Sequence, residues 1–316
     1  VGRQHQRLRV LGAPGKDDQA HVGVRVGYAP SLLHPPGQVE ASHAIRYHAA
    51  SFPGVCMEFL LYLLLGAAAG VLAGLFGVGG GIIIVPVLVL SFTAQGIDPA
   101  VLTHLAVGTS LATIVFTSIN SVLEHQRKGA VLWPVFAWMT LGILLGAGLG
   151  SLTAAAIQGP LLQKIIGVFA IVIAIQMGLE LKPKAGRAVP GKLGLTAAGG
   201  VIGWASAIFG IGGGSLTVPF LTWRSVSMQQ AVATSAACGL PIAAASALSF
   251  MLIGWGEPQL PEWSAGFVYL PAMAGIAITS MFFARFGARL AHKLSPRLLK
   301  RLFALLLLCV GVNFLI

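Results

Sequence analysis

Two stretches decide the fold: "FGVGGGIIIVPVL", Phe76 to Leu88, and "FGIGGGSLTVPFL", Phe209 to Leu221. They agree at eight of thirteen positions, and each carries a proline five residues past its last glycine. The likeness extends outward from them. "AVGTSLA" from Ala106 matches "AVATSAA" from Ala231 at five of seven positions, and "GPLLQK" from Gly159 resembles "SPRLLK" from Ser295. Self-similarity of this kind in an apolar chain predicts two structural repeats.

The chain has 316 residues, of which 56% are hydrophobic and 9% charged. A water-exposed domain carries about 25% charge, so most of this surface must face lipid or other membrane helices. The net charge of +11 would suggest nucleic acid in a soluble protein. Here the basic residues cluster between apolar runs, where they act as topology signals, and no nucleic-acid partner is expected. Cys56, Cys238 and Cys309 match no metal or disulfide spacing, so no metal site or cofactor is expected. Residues 1–56 hold no Met, six Lys/Arg, five His and five Pro. They read as a disordered extension, or as a stretch ahead of a translation start at Met57.

The apolar segments of the first repeat, 57–181, are Glu58 to Val78, Ile82 to Phe92, Ala100 to Leu123, Val131 to Ala156 and Leu161 to Leu181. Those of the second, 193–316, are Leu193 to Ile211, Ser215 to Trp223, Gln230 to Ile253, Ser264 to Phe286 and Leu298 to Ile316. A basic linker, 182–192, joins the repeats. A crossing needs about 20 apolar residues, and six segments satisfy this. The two segments after the glycines are half as long, so they read as half-helices. The expected fold is an all-α polytopic membrane protein. Each repeat is a Gly-broken hairpin with a half-helix plus three transmembrane helices.

Charge suggests the hand of the repeat. Arg127, Lys128 and the linker mark cytoplasmic loops, whereas the second-repeat loop "GWGEPQLPEW" is acidic and the following one is basic. The positive charge has moved by one crossing, so the second repeat is expected to be inverted. Residue 57 and the C-terminus then lie outside.

Non-helical backbone at bilayer depth needs protein or a water-filled cavity around it. Gly79, Gly80 and Gly81, and then Gly212, Gly213 and Gly214, place such backbone at two hairpin tips. Each half-helix begins there with free N–H groups and the positive end of its dipole. Two inverted copies make an anion site from backbone. Pro86 and Pro219 remove a hydrogen bond near each start, so an irregular first turn is expected. Thr109 and Ser110 match Thr234 and Ser235, whose hydroxyls can donate to an oxyanion. Ser215 follows the second glycine run where the first has Ile82, so the half-sites are unequal.

His104 aligns with Gln229 and is a candidate proton relay, with an interfacial histidine as the bland alternative. Glu124 and His125 read as loop residues, and Asp98 as a turn and cap residue. Trp133, Trp223, Trp255 and Trp263 lie near segment ends, as in an aromatic belt.

"GVGGG" lacks the βαβ context of a dinucleotide site. An intramembrane hydrolase needs a nucleophile with a base in reach, and none is apparent, so no enzyme is expected. A passive anion channel, or a permease for another small anion or metabolite, stays open as the alternative to a carrier.

"GAAAGVLAGLFGVGGGIIIVPVL", then "AVGTSLA" and the "HQRKGAVLW" loop, resemble the signatures of the sulfite exporter TauE/SafE family of membrane permeases. The resemblance covers Met57 to Ile316. It implies a multi-pass protein of the bacterial inner (cytoplasmic) membrane that exports small sulfur-containing anions such as sulfite, thiosulfate or organosulfonates. It places the site at the two glycine runs with the Thr/Ser pairs behind them. Its partners would be the anion and membrane lipid, with a homodimer left open.

Overall fold

The computed structural model describes residues 52–76, 81–127, 129–178, 188–291 and 296–316. All lie within one compact unit, Ser51–Ile316. The described residues form ten helices and no named strand. The first five are α1 (Phe52–Phe76), α2 (Gly81–Ala94), α3 (Pro99–Arg127), α4 (Trp133–Ala156) and α5 (Gly159–Gly178). The second five are α6 (Lys192–Phe209), α7 (Gly214–Trp223), α8 (Met228–Ile253), α9 (Leu270–Ala291) and α10 (Pro296–Leu315). Five of them, α3, α4, α5, α6 and α8, are long and apolar enough to cross a membrane. Large apolar side chains point outward from them, among them Leu145 at 71% and Leu149 at 61% exposure, a surface suited to lipid and not to water.

The half-helices are where the sequence places them, at 14 residues for α2 and 10 for α7. Three expectations are corrected. Both half-helices run unbroken through Pro86 and Pro219. Proline's fixed φ is itself helical, so a single hydrogen bond is lost and the turn is kept. The segment expected from Ser264 becomes helical only at Leu270. Trp263 at φ 66° and Gly266 at φ 55° turn the chain, and Ser264 bridges to Tyr269. Glu124 and His125 belong to the last turn of α3, not to a loop.

The packing has a two-fold pattern. The most extensive helix pairs are α1 with α9 and α4 with α6, and these exchange when the repeats are swapped. The match reaches single residues. Gly66 and Gly70 of α1 lie on Ile276 and Ser280 of α9, just as Gly199 and Gly203 of α6 lie on Met139 and Ile143 of α4. A Cβ at Gly70 would stand 2.7 Å from the Ser280 Cα, and one at Gly203 would stand 3.0 Å from the Ile143 Cα. Lipid gives helices no hydrophobic reason to associate, so small residues that admit close backbones do this work.

Directions follow from the same contacts. α1 runs parallel to α9, with Gly66 beside Ile276 and Gly70 beside Ser280. α4 runs parallel to α6, with Gly146 beside Gly200 and Gly150 beside Trp204. α3 runs antiparallel to α8, with Gly108 beside Phe250 and Gly239 beside Ser118. α5 runs antiparallel to α10, with Gly167 beside Phe314 and Gly178 beside Ala304. At the centre is α3, buried without interruption from Val101 to Ile114.

Candidate functional site

The second glycine break is fully described. Helix α6 ends at Gly210, which is left-handed at φ 64°, a conformation glycine adopts without strain. The N–H groups of Gly210 and Ile211 both bond back to the Ser206 carbonyl, closing the helix end. Gly212 and Gly213 follow, and α7 starts at Gly214 with no side-chain cap. The first N–H to re-enter the ladder is that of Thr217, donating to the Gly213 carbonyl at 2.8 Å. The N–H groups of Gly214, Ser215 and Leu216 precede it, and an α-helix offers them no internal partner.

Of the first break, Gly81 is described, and Gly79 and Gly80 lie outside the described residues. Gly81 meets the second break directly. A Cβ on it would stand 2.9 Å from the Ile211 Cα, 3.0 Å from the Gly210 carbonyl oxygen and 2.7 Å from Ile114 Cδ1. The structure therefore brings the two breaks together, and glycine is what permits the approach. Gly213 is pressed from the other side by α8, its Cβ position lying 3.1 Å from the Ser235 carbonyl oxygen and 3.3 Å from the Gly239 nitrogen.

The four matched hydroxyl residues are all buried, but they act differently. Ser110 Oγ donates to the Gly210 carbonyl at 3.0 Å, so α3 of one repeat braces the break of the other. Thr109 Oγ1 accepts the Tyr269 N–H at 2.9 Å, one residue before α9. Thr234 Oγ1 accepts the Leu132 N–H at 3.0 Å, one residue before α4. The two threonines thus make the same tie, each holding the start of the fourth helix of the opposite repeat. Ser235 Oγ has no protein partner.

Ser235 belongs to a small class. Most helical hydroxyls here bond the carbonyl one turn back, as Thr93, Thr113, Thr140, Ser151, Thr222 and Ser249 do. Thr103, Ser206, Ser215, Thr217, Ser235 and Ser246 do not, although their oxygens are shielded from solvent. Four of these, Ser206, Ser215, Thr217 and Ser235, lie on the second break or on the helix turns that meet it. A buried hydroxyl without a partner costs about 1–3 kcal/mol, so such a group at a helix N-terminus points to a ligand that supplies the missing bond. Ser206 and Thr217 were not among the residues singled out from the sequence. Thr217 was readable there, because it stands where the first motif has Ile84.

His104 is 5% exposed. Its Nε2 faces the Ala154 and Ile157 carbonyl oxygens at 3.0 and 3.1 Å, at the end of α4. Asp98 caps its turn as expected, its carboxylate accepting the Ala100 N–H at 2.8 Å. Among the described residues no group of three or more His, Cys, Asp or Glu is placed to hold a metal.

Known proteins resemble the chain over most of its length. The model of the family described as "Sulfite exporter TauE/SafE" matches residues 62–314. The chain belongs to this family. A protein of Haemophilus influenzae named "Probable membrane transporter protein" is 40% identical over 258 residues, covering 80% of this chain and 97% of the relative. A protein of the same description from Methanocaldococcus jannaschii is 30% identical, covering 82% of this chain and 97% of its own. No solved structure matches the chain. The TauE/SafE assignment makes the chain a transmembrane transporter, and its apolar helices agree with a multi-pass membrane protein.

Proposed function

We propose that this transporter carries small sulfur-containing anions out across a bacterial inner membrane, and that it holds them where the two glycine breaks meet. One observation carries the reading: an uncapped half-helix start at Gly214, in a break whose Gly210 and Ile211 lie against Gly81 of the other break, with unpartnered buried hydroxyls around it. The free N–H groups of α7, Ser215 Oγ and Thr217 Oγ1 supply donors, and the helix dipole adds positive potential without a buried cation. Ser235 Oγ is the donor contributed by α8. Ser110, Thr109 and Thr234 set the shape of the site by fixing the break and the two neighbouring helix starts. Gly79 and Gly80 complete the site from the first repeat. The sulfur in the substrate rests on the family alone.

The second repeat is read as inverted. Ten helices alternating in direction reproduce all four observed pairings, parallel for α1–α9 and α4–α6, antiparallel for α3–α8 and α5–α10. Five helices per repeat is an odd number, so equivalent helices run oppositely, which makes alternating access a rocking about a shared centre. In that alternation Arg127, Lys192 and Arg224 fall at one end. Asp98, Glu257 and Glu262 fall at the other. The basic end is the cytoplasmic one.

The test is flux of radiolabelled sulfite and thiosulfate through the full chain in proteoliposomes, with chloride as control. Saturable sulfur-anion flux that is lost in Ser215→Ala/Thr217→Val supports the reading. Saturable flux of equal size in that variant removes the site from α7. Non-saturable flux that includes chloride replaces the carrier with a channel.

A further inference from the structure

We propose that His104, with the cavity it lines at the acidic end of the bundle, is a proton-binding site that couples proton movement to anion transport. This rests on the anion-carrier reading. The cavity is separate from the glycine breaks and has a volume of about 460 Å³. Its walls are the start of α3 (Ala100, Val101, His104), the α4–α5 turn with Gln158, and Glu257, Gln259 and Phe267 from the α8–α9 connection. It is open to the molecular surface beside the start of α3.

The hydrogen bonds settle which nitrogen takes the proton. Both neighbours of Nε2 are carbonyl oxygens, which only accept, so Nε2 carries a hydrogen. In the neutral ring the lone pair is then on Nδ1, and Nδ1 is buried with no hydrogen-bond partner. Protonation of the ring occurs at that lone pair, and Nε2–H keeps its two carbonyls. The ring becomes a cation and no other bond changes.

The ring and its cavity meet a helix end, a glutamate and an aromatic ring. The carbonyls that Nε2 meets belong to the C-terminal end of α4, the negative end of a helix dipole. Among the described residues of the lining, Glu257 is the only other ionisable side chain. Asp98, at the foot of α3, is occupied with the Ala100 N–H. Lys164 on α5 and Glu262 in the α8–α9 connection are exposed and line no part of the cavity. Phe267 covers the ring, the two centroids lying 5.3 Å apart.

The link to the anion site is α3 itself. Ser110, which holds the Gly210 carbonyl, lies six residues from His104, a rise of about 9 Å along the helix. Protonation converts the Nε2–H bonds to α4 into charge-assisted ones, which are stronger. The proton thereby tightens α3 onto the α4–α5 turn, while the same helix holds the break.

The variant to use is His104→Gln. Its amide can still donate to the carbonyls, and the second repeat already carries Gln229 at the equivalent position. It cannot titrate. The probe is radiolabelled thiosulfate, which stays fully ionised over the range where histidine changes charge, about pH 5 to 8. Full-length protein in vesicles with an entrapped pH dye should show thiosulfate flux that varies several-fold with pH at the acidic end, accompanied by a proton signal. His104→Gln should retain flux but lose both the pH profile and the proton signal, and Glu257→Gln should weaken both. A wild-type pH profile in His104→Gln overturns the proposal. A second readout is independent of transport: the histidine NMR titration of the protein in detergent. A titrating ring absent from His104→Gln supports the site even if no sulfur anion moves. No titration of His104 between pH 5 and 8 overturns it.

Discussion

The two half-helices, α2 and α7, are equivalent in packing and unlike in chemistry. Each follows a glycine run, carries a proline at the same place and packs on the next long helix of its own repeat. Yet α2 opens with Ile82, Ile83 and Ile84, all buried, and α7 opens with Ser215, Leu216 and Thr217. Two isoleucines face two hydroxyls across the pseudo-two-fold. The duplicated fold supplies the meeting of two glycine breaks, and in the proposed function the departure from symmetry decides what binds there. An oxyanion held this way has its charge on α7 and rests an uncharged flank on α2.

The largest effect should come from forcing the two starts apart. Leucine at Gly81 would drive its Cβ into the backbone of Gly210 and Ile211, neither of which is a flexible side-chain end. Gly81→Leu should abolish flux and reduce the yield of folded protein by size-exclusion chromatography. Gly148→Leu is the control, because nothing lies within 4 Å of a Cβ there, and it should transport normally. Normal flux in Gly81→Leu would mean that the breaks do not meet in the working protein.

Next comes the chemical difference itself. Ser215→Ala and Thr217→Val remove hydroxyls that find no protein partner. A hydrogen bond to a charged ligand is worth about 1.5–3 kcal/mol, so KM for the transported anion should rise roughly tenfold or more in each, at 1.4 kcal/mol per decade. Removing a buried hydroxyl that bonds nothing in the resting protein should leave the melting temperature unchanged or raise it. Weaker binding with equal or higher stability is the signature of a functional group. A drop in melting temperature with unchanged KM would make both hydroxyls structural. The reciprocal change, Ile82→Ser, puts a hydroxyl where no half-site chemistry calls for one and should lower stability without improving KM.

These contrasts also show what could be read beforehand. The glycine motifs, the half-helices and the repeat were legible because backbone breaks and apolar lengths are local properties. Thr217 was legible too, by setting the two motifs side by side, but it sits in a run that otherwise reads as apolar. The partners were not legible. Ser110 bonds a carbonyl 100 residues away and Thr109 an N–H 160 residues away, and nothing within a helix of sequence announces a tertiary bond. His104 could be noticed as an ionisable group in an apolar segment, but its cavity is assembled from α3, the α4–α5 turn and the α8–α9 connection. The delayed start of α9 was hidden for a related reason. The stretch from Ser264 to Tyr269 is apolar enough for a helix, and the turns at Trp263 and Gly266 are held by contacts such as Phe267 N–H to the Phe250 carbonyl at 3.1 Å.

The smallest effect tests the symmetry where it is kept. Thr109→Val leaves the Tyr269 N–H without its acceptor, and Thr234→Val does the same to the Leu132 N–H. Both N–H groups precede a fourth helix, so each loss resembles the removal of an N-cap, typically about 1 kcal/mol. The two variants should therefore lower the melting temperature by similar amounts. In the double variant the losses should add, because neither threonine bonds the other's partner. Transport should fall to a similar, modest extent in both, since each threonine acts only on the placement of a helix start. A much larger transport loss in Thr109→Val would show that the tie to α9 carries more than geometry, and would place Thr109 beside Ser215 among the groups that meet the anion. Equal losses would show that the symmetry holds at these two ties, and would leave the contrast of function to positions such as Ser215 and Thr217 against Ile82 and Ile84, and His104 against Gln229.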